Sequence, residues 1–203
     1  GPTPTPSLTT PATAQPGWAI ANVRLIPDPA NGGLYAYGEL VNNTGAPQQI
    51  LNIAGSFYDA QGGLLAGPLD TLDRTPTDVL PPGGRLPFEL LAIGPTTAAN
   101  YALSVQARPS ALAVRDTFTF TDTSVLSQRG QTCLAGTLQR PDPALADLLT
   151  IAVAWVDEAG RLVALSDPYE PDLEQLAEAH SFTVCTDLRG VPASGYLLRA
   201  WGR

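Results

Sequence analysis

Apolar and polar positions alternate along most of the chain in short runs, and one such phrase is written twice. Residues 55–66 read G-S-F-Y-D-A-Q-G-G-L-L-A, and residues 153–164 read V-A-W-V-D-E-A-G-R-L-V-A. Each is an apolar run, an acid, a turn with glycine and a second short apolar run, the pattern of a β-hairpin with a bulged or longer turn. Asp59 and Gly62 mark the first turn, Asp157 and Gly160 the second. By the period of two, Ile53, Gly55 and Phe57 share one face, as do Ile151, Val153 and Trp155. Phe57 and Trp155 are therefore the expected core aromatics between two sheets. Ala152, Ala154 and Val156 make the other face apolar as well, which predicts that this strand is covered on both sides.

The repetition extends beyond the phrase. Gly38-Glu39-Leu40 matches Gly136-Thr137-Leu138 at an offset of 98, and the offset holds to Ala66 and Ala164. Phe88 then matches Phe182 and Tyr101 matches Tyr196, after a deletion of four residues in the second copy. The predicted strands of copy one are 18–26, 34–42, 50–59, 64–66, 86–93 and 101–108, separated by turns rich in Gly, Pro, Asn and Asp. Short strands at this spacing point to antiparallel sandwiches. The expected architecture is all-β: an extended Pro/Thr-rich tail at 1–16, then two tandem immunoglobulin-like sandwich domains, 17–108 and 109–203.

Composition narrows the functions. The 20 prolines and 19 glycines favour turns over long helices. A net charge of −8 argues against nucleic acid and against an electrostatic membrane-surface role. No run of apolar residues is long enough to span a bilayer. The chain does not begin with methionine, and the expectation is a processed or excised piece. The tail, G-P-T-P-T-P-S-L-T-T-P-A-T-A-Q-P, carries no charge and reads as an extended spacer whose threonines suit O-glycosylation.

Copy one contains Gly38-Glu39-Leu40-Val41-Asn42, Phe57-Tyr58-Asp59, Gly62, Pro81-Pro82-Gly83 and Pro87-Phe88. On these residues it resembles the FxLYD-type domain of bacterial surface proteins. The second copy keeps Gly136, Asp157, Gly160 and Phe182 but lacks the asparagine, the tyrosine and the P-P-G. The resemblance implies small immunoglobulin-like domains on secreted or surface-anchored proteins, and no reaction.

Candidate chemistry is sparse. Cys133 and Cys185 lie in strand-like segments and are read as a disulfide of an extracellular chain. Asp59 and Asp157 are read as turn-stabilising acids rather than metal ligands. His180, the single histidine, sits beside Ser181 and is expected to begin a strand; no nucleophile elbow accompanies it. Asp167, Glu170, Asp172 and Glu174 gather in the loop 167–180, whose Glu170-Pro171-Asp172 suits the opening of a short solvated helix, with calcium binding as the alternative. These acids, with Trp18 and Ile20 after the tail, are the candidate interaction residues, although Trp18, like Trp155 and Trp201, falls in a strand run that favours core placement. Tyr35, Tyr37 and Tyr58 are the candidates for an exposed glycan platform, and Asn42-Asn43-Thr44 matches a glycosylation sequon. The function expected is a non-enzymatic extracellular structural or adhesive protein without cofactor, a spacer or subunit of a surface assembly. Its expected partners are proteins or copies of itself, joined by strand addition of the N-terminal segment; the alternative is a glycan- or calcium-binding accessory module.

Overall fold

The computed structural model describes residues 16–203; the tail assigned to 1–16 lies, but for Pro16, outside them. The described chain is all-β and antiparallel. Fourteen strands follow in order: β1 (Trp18–Asp28), β2 (Gly33–Asn42), β3 (Gln48–Tyr58), β4 (Leu64–Ala66), β5 (Thr71–Arg74), β6 (Val79–Leu80), β7 (Arg85–Ile93), β8 (Asn100–Pro109), β9 (Phe120–Gln128), β10 (Gln131–Gln139), β11 (Leu149–Val156), β12 (Leu162–Leu165), β13 (Ala179–Thr186) and β14 (Gly195–Gly202).

In residues 17–108 one sheet has the order β1-β2-β7-β5. In the facing sheet β3 pairs with β8 along its length, and with β4 and β6 near its ends. In residues 109–203 the sheets are β13-β10-β9 and β12-β11-β14. Matching β1, β2, β3, β4, β7 and β8 to β9, β10, β11, β12, β13 and β14 reproduces every principal pairing. Strands β5 and β6 have no counterpart; the acidic loop takes their place.

The repeat extends to local stereochemistry. Asn22 and Asp122 both have positive φ, 57° and 53°, at the bulges where β1 and β9 pass Gly38 and Gly136. Asn and Asp tolerate this left-handed conformation better than other side chains. The two glycines are needed for a second reason. A Cβ on Gly38 would lie 2.8 Å from the Phe88 ring, and one on Gly136 would lie 2.9 Å from the Phe182 ring. Each phenylalanine lies over the bare backbone of its paired glycine, a packing that alanine would disrupt.

The expected core aromatics are in place. Phe57 is fully buried, and Trp155, 2% exposed, donates its indole N–H to Thr186 Oγ1 across the sandwich at 3.0 Å. Burial of each such side chain contributes about 1.5–3 kcal/mol. The outward side of β11 is buried too, at Ala152 and Ala154, while Val156 is half-buried against the core. What covers it is the first copy. Strand β12 packs against β1, β2 and β7, and Arg199 of β14 reaches Glu39 of β2. All four residues of β12 are buried.

Trp18 and Ile20, proposed above as interaction residues, are core instead, 5% and 8% exposed. They share the inward face of β1 opposite Asn42 and Leu40.

Candidate functional site

The most elaborate polar construction among the described residues is the seam between the two inner sheets. It follows from strand parity. On β2 the alternate residues Leu34, Ala36, Gly38 and Leu40 enter the first core, so Tyr35, Tyr37 and Glu39 face outward, toward the second copy. Neighbouring strands add Arg24, Arg85 and Glu89 to that face, and β5 adds Arg74. The second copy supplies Asp157, Arg189 and Arg199.

Glu39, buried although charged, accepts from Asn22 Nδ2 at 3.1 Å and from Arg85 at 3.2 Å, and Arg199 reaches it at 3.4 Å from β14. Arg24 Nη1 lies 2.8 Å from Asp157 Oδ2. Arg74 is the most fully engaged group. Its Nε and Nη2 grip Glu89 at 3.2 and 2.9 Å, its Nη1 donates to the Ser166 carbonyl and to Asp167, and its Nη2 also reaches the Leu165 carbonyl. Five contacts match the five N–H donors of a guanidinium. Burial disfavours its charge, but the hydrogen bonds and charge of Glu89, then Asp167, raise its pKa above the usual arginine value.

Tyr37 donates to Glu89 at 2.9 Å and accepts from Arg189 at 2.6 Å. Burial, followed by the charge of Glu89, pushes its pKa above that of a free phenol. Arg189 also lies over the Tyr35 ring at 4.0 Å, a cation–π contact. Its turn is set by Asp187, which accepts from the Arg189 amide at 2.8 Å and holds φ at +51°. Tyr35 and Tyr37 therefore do not form an exposed glycan platform: Tyr37 is 1% exposed and Tyr35 is half-buried beneath Arg189.

Two clefts open along the seam. One of about 160 Å³ is lined by Tyr37, Arg74, Glu89, Ser166, Thr186 and Arg189. The other, about 410 Å³ and more open, lies between Arg24, Asp157, Arg161 and Ser194. In both, the carboxylates of Glu89 and Asp157 are already bonded to arginines. The arrangement holds two sheets in register and leaves neither carboxylate as an unengaged base.

The turn acids behave as expected and one does more. Asp59 Oδ1 accepts from the amides of Gln61 and Gly63 at 2.9 and 2.7 Å; Asp157 Oδ1 accepts from those of Ala159 and Arg161, both at 2.9 Å. Gly62 and Gly160 close these turns at φ of 83° and 76°. In the second copy Asp157 Oδ2 also bonds Arg161 and Arg24. Burial opposes its charge, but the backbone and side-chain hydrogen bonds of Arg161 prevail and lower its pKa.

The acidic loop does not form a regular helix. A 3₁₀ turn spans Leu173–Gln175, with Asp172 accepting from the Glu174 amide as its cap. Asp167 pairs with Arg74, and among the described residues no group of three or more His, Cys, Asp or Glu side chains is placed to hold a metal ion. His180 is in β13, its ring stacked on Tyr169 and within 3.0 Å of that hydroxyl. The cysteines form a disulfide between directly opposed residues of β10 and β13. Asn42 of the sequon is fully buried. Its amide donates to the carbonyls of Ala46, Leu80 and Pro81, and its Oδ1 accepts from Thr44. This explains why Asn42 and P-P-G occur together in copy one and are absent together from copy two. Among the described residues no helix is long and apolar enough to cross a membrane.

Comparison of the chain with family models, with curated proteins and with solved structures returns no match.

Proposed function

We propose that the chain is a non-enzymatic structural module that works outside the cell as a rigid spacer or subunit of a surface assembly. In this reading residues 17–108 and 109–203 are two immunoglobulin-like sandwich domains of FxLYD type, the second divergent, preceded by the Pro/Thr tail. The common strand order of the two copies supports the domain division, and the Cys133–Cys185 disulfide suits an oxidising compartment.

The observation that carries the reading is Arg74. Its five donors engage Glu89 of its own copy and Leu165, Ser166 and Asp167 of the other. Tandem domains joined by a linker move relative to one another unless their interface is large and hydrophobic; the buried β12 with Ala152 and Ala154 supplies apolar contact at this seam. The polar network of Arg74 adds contacts that oppose such motion. A spacer needs rigidity, and the contacts across the seam support that reading.

Small-angle scattering at low protein concentration tests the reading. A profile fitted by one rigid arrangement of the two copies is expected. A profile that requires a broad distribution of inter-copy distances would remove the rigid spacer from consideration.

A further inference from the structure

Among the described residues each sandwich lacks a strand on one side: β8 is paired along one edge only, to β3, and β14 along one edge to β11 and on the other by the single Arg115 bridge. The two copies differ in what this exposes. In the first, Leu103 on the inner face of β8 is 2% exposed. Its counterpart Leu198 on β14 is only half-buried, and Val125, on the inner face of the neighbouring edge strand β9, is 54% exposed. Among the described residues no strand bridges β9 and β14 in the second sandwich.

The free edge of β14 has a defined hydrogen-bonding set. Gly202 exchanges both backbone hydrogen bonds with Arg115 on that side, at 2.9 Å each. Residues two apart along a strand point their N–H and C=O to the same side. Ala200, Leu198 and Tyr196 therefore offer theirs outward, beyond the point where Arg115 ends the pairing.

Residues 2–9 of this chain carry a complementary pattern. Pro2, Pro4 and Pro6 fall at even positions, and Thr3, Thr5, Ser7 and Thr9 at odd ones. Proline lacks the N–H, so a strand with proline at one parity can pair through the other parity only. Four consecutive odd positions keep every donor on one edge, while the prolines deny the opposite edge to a further strand. The β-branched threonines suit a strand.

We propose that residues 2–9 of a second copy of this chain add to the free edge of β14 as an antiparallel strand. This extends the structural role proposed above to a specific mode of assembly, and rests on it. The odd residues hydrogen-bond Tyr196, Leu198 and Ala200, and hydrogen-bonded antiparallel neighbours share a face. Their threonine methyls thus cover Leu198 and Val125, beside the bond of 2.9 Å from the Tyr196 hydroxyl to Thr123.

The donor is a second copy for a geometric reason. The contacts of Arg24 with Asp157 and of Glu39 with Arg199 direct the Trp18 end of β1 toward the Gly202 end of β14. From there the chain's own tail would run parallel to β14 and past the Arg115 bridge. To run antiparallel, that tail would first have to double back along β14. A contact of this head-to-tail kind is heterologous and, repeated, builds an open array or, where the rotation closes, a ring.

Sedimentation of the full chain with Ser7→Pro and Leu8→Pro variants tests the proposal. These adjacent substitutions remove donors of opposite parity. The parent and Leu8→Pro should gain mass with concentration, Ser7→Pro should remain a single chain, and a peptide of residues 1–15 should dissolve the parent's assemblies. A parent that stays a single chain throughout, or two variants that behave alike, would overturn it. The scattering result for the rigid seam is read at low concentration and stands or falls separately.

Discussion

Arg24 Nη1 and Asp157 Oδ2, 133 positions apart in sequence, lie 2.8 Å apart across the seam, and the same carboxylate closes its own hairpin through Oδ1. Asp59 closes the equivalent hairpin of the first copy without an inter-copy arginine. The two positions thus separate turn chemistry from docking. Asparagine keeps the Oδ1 acceptor and loses the charge. We expect Asp59→Asn to be nearly neutral and Asp157→Asn to cost about 1 kcal/mol, the scale of a partly exposed ion pair. Urea unfolding of the two variants checks this, and equal losses would assign Asp157 to its turn alone.

Arg74 should be the single most costly residue of the seam. Truncation to alanine leaves the Glu89 carboxylate and the carbonyls of Leu165 and Ser166 without it. The expected loss is about 2 kcal/mol. Arg74→Lys should recover less than half of that, because one ammonium cannot grip a carboxylate at two points while reaching two carbonyls. Denaturant midpoints of the two variants provide the comparison.

Acid should loosen the seam at Asp157. Its pKa is lowered in the folded chain. The associated stability is complete above the unfolded aspartate value of about 3.9, and is lost as pH falls below it through the lower folded value. Stability from this group should therefore be level from neutral pH to about pH 5 and decline below pH 4. In Asp157→Asn that part of the acid dependence should disappear.

Removal of the disulfide should act on the second copy. The cysteines are 52 positions apart. Releasing a loop of that length costs about 4 kcal/mol in the chain-entropy model. The paired Cys133→Ala, Cys185→Ala variant should show earlier loss of amide protection in β10 and β13 than in β2 and β7.

Much of the fold was legible from patterning. The repeated hairpin located β3, β4, β11 and β12, and the apolar outer face of β11 announced its second covering layer. Strands β5 and β6 were missed: Thr-Leu-Asp-Arg has no strand-like alternation, and Val79-Leu80 is too short to read. The seam was missed for a different reason. Arg24, Arg74 and Arg199 look like ordinary surface arginines until strand parity places them opposite acids from a distant segment. Tyr37 misled in the same way, since a tyrosine on an outward face reads as exposed when the covering sheet is unknown.

The two copies are expected to unfold as one body, which scanning calorimetry checks through the ratio of calorimetric to van't Hoff enthalpy. A single transition with a ratio near one is expected for the parent, dividing into two in Arg74→Ala. Two separate transitions in the parent, unmoved by Arg74→Ala, would contradict the account.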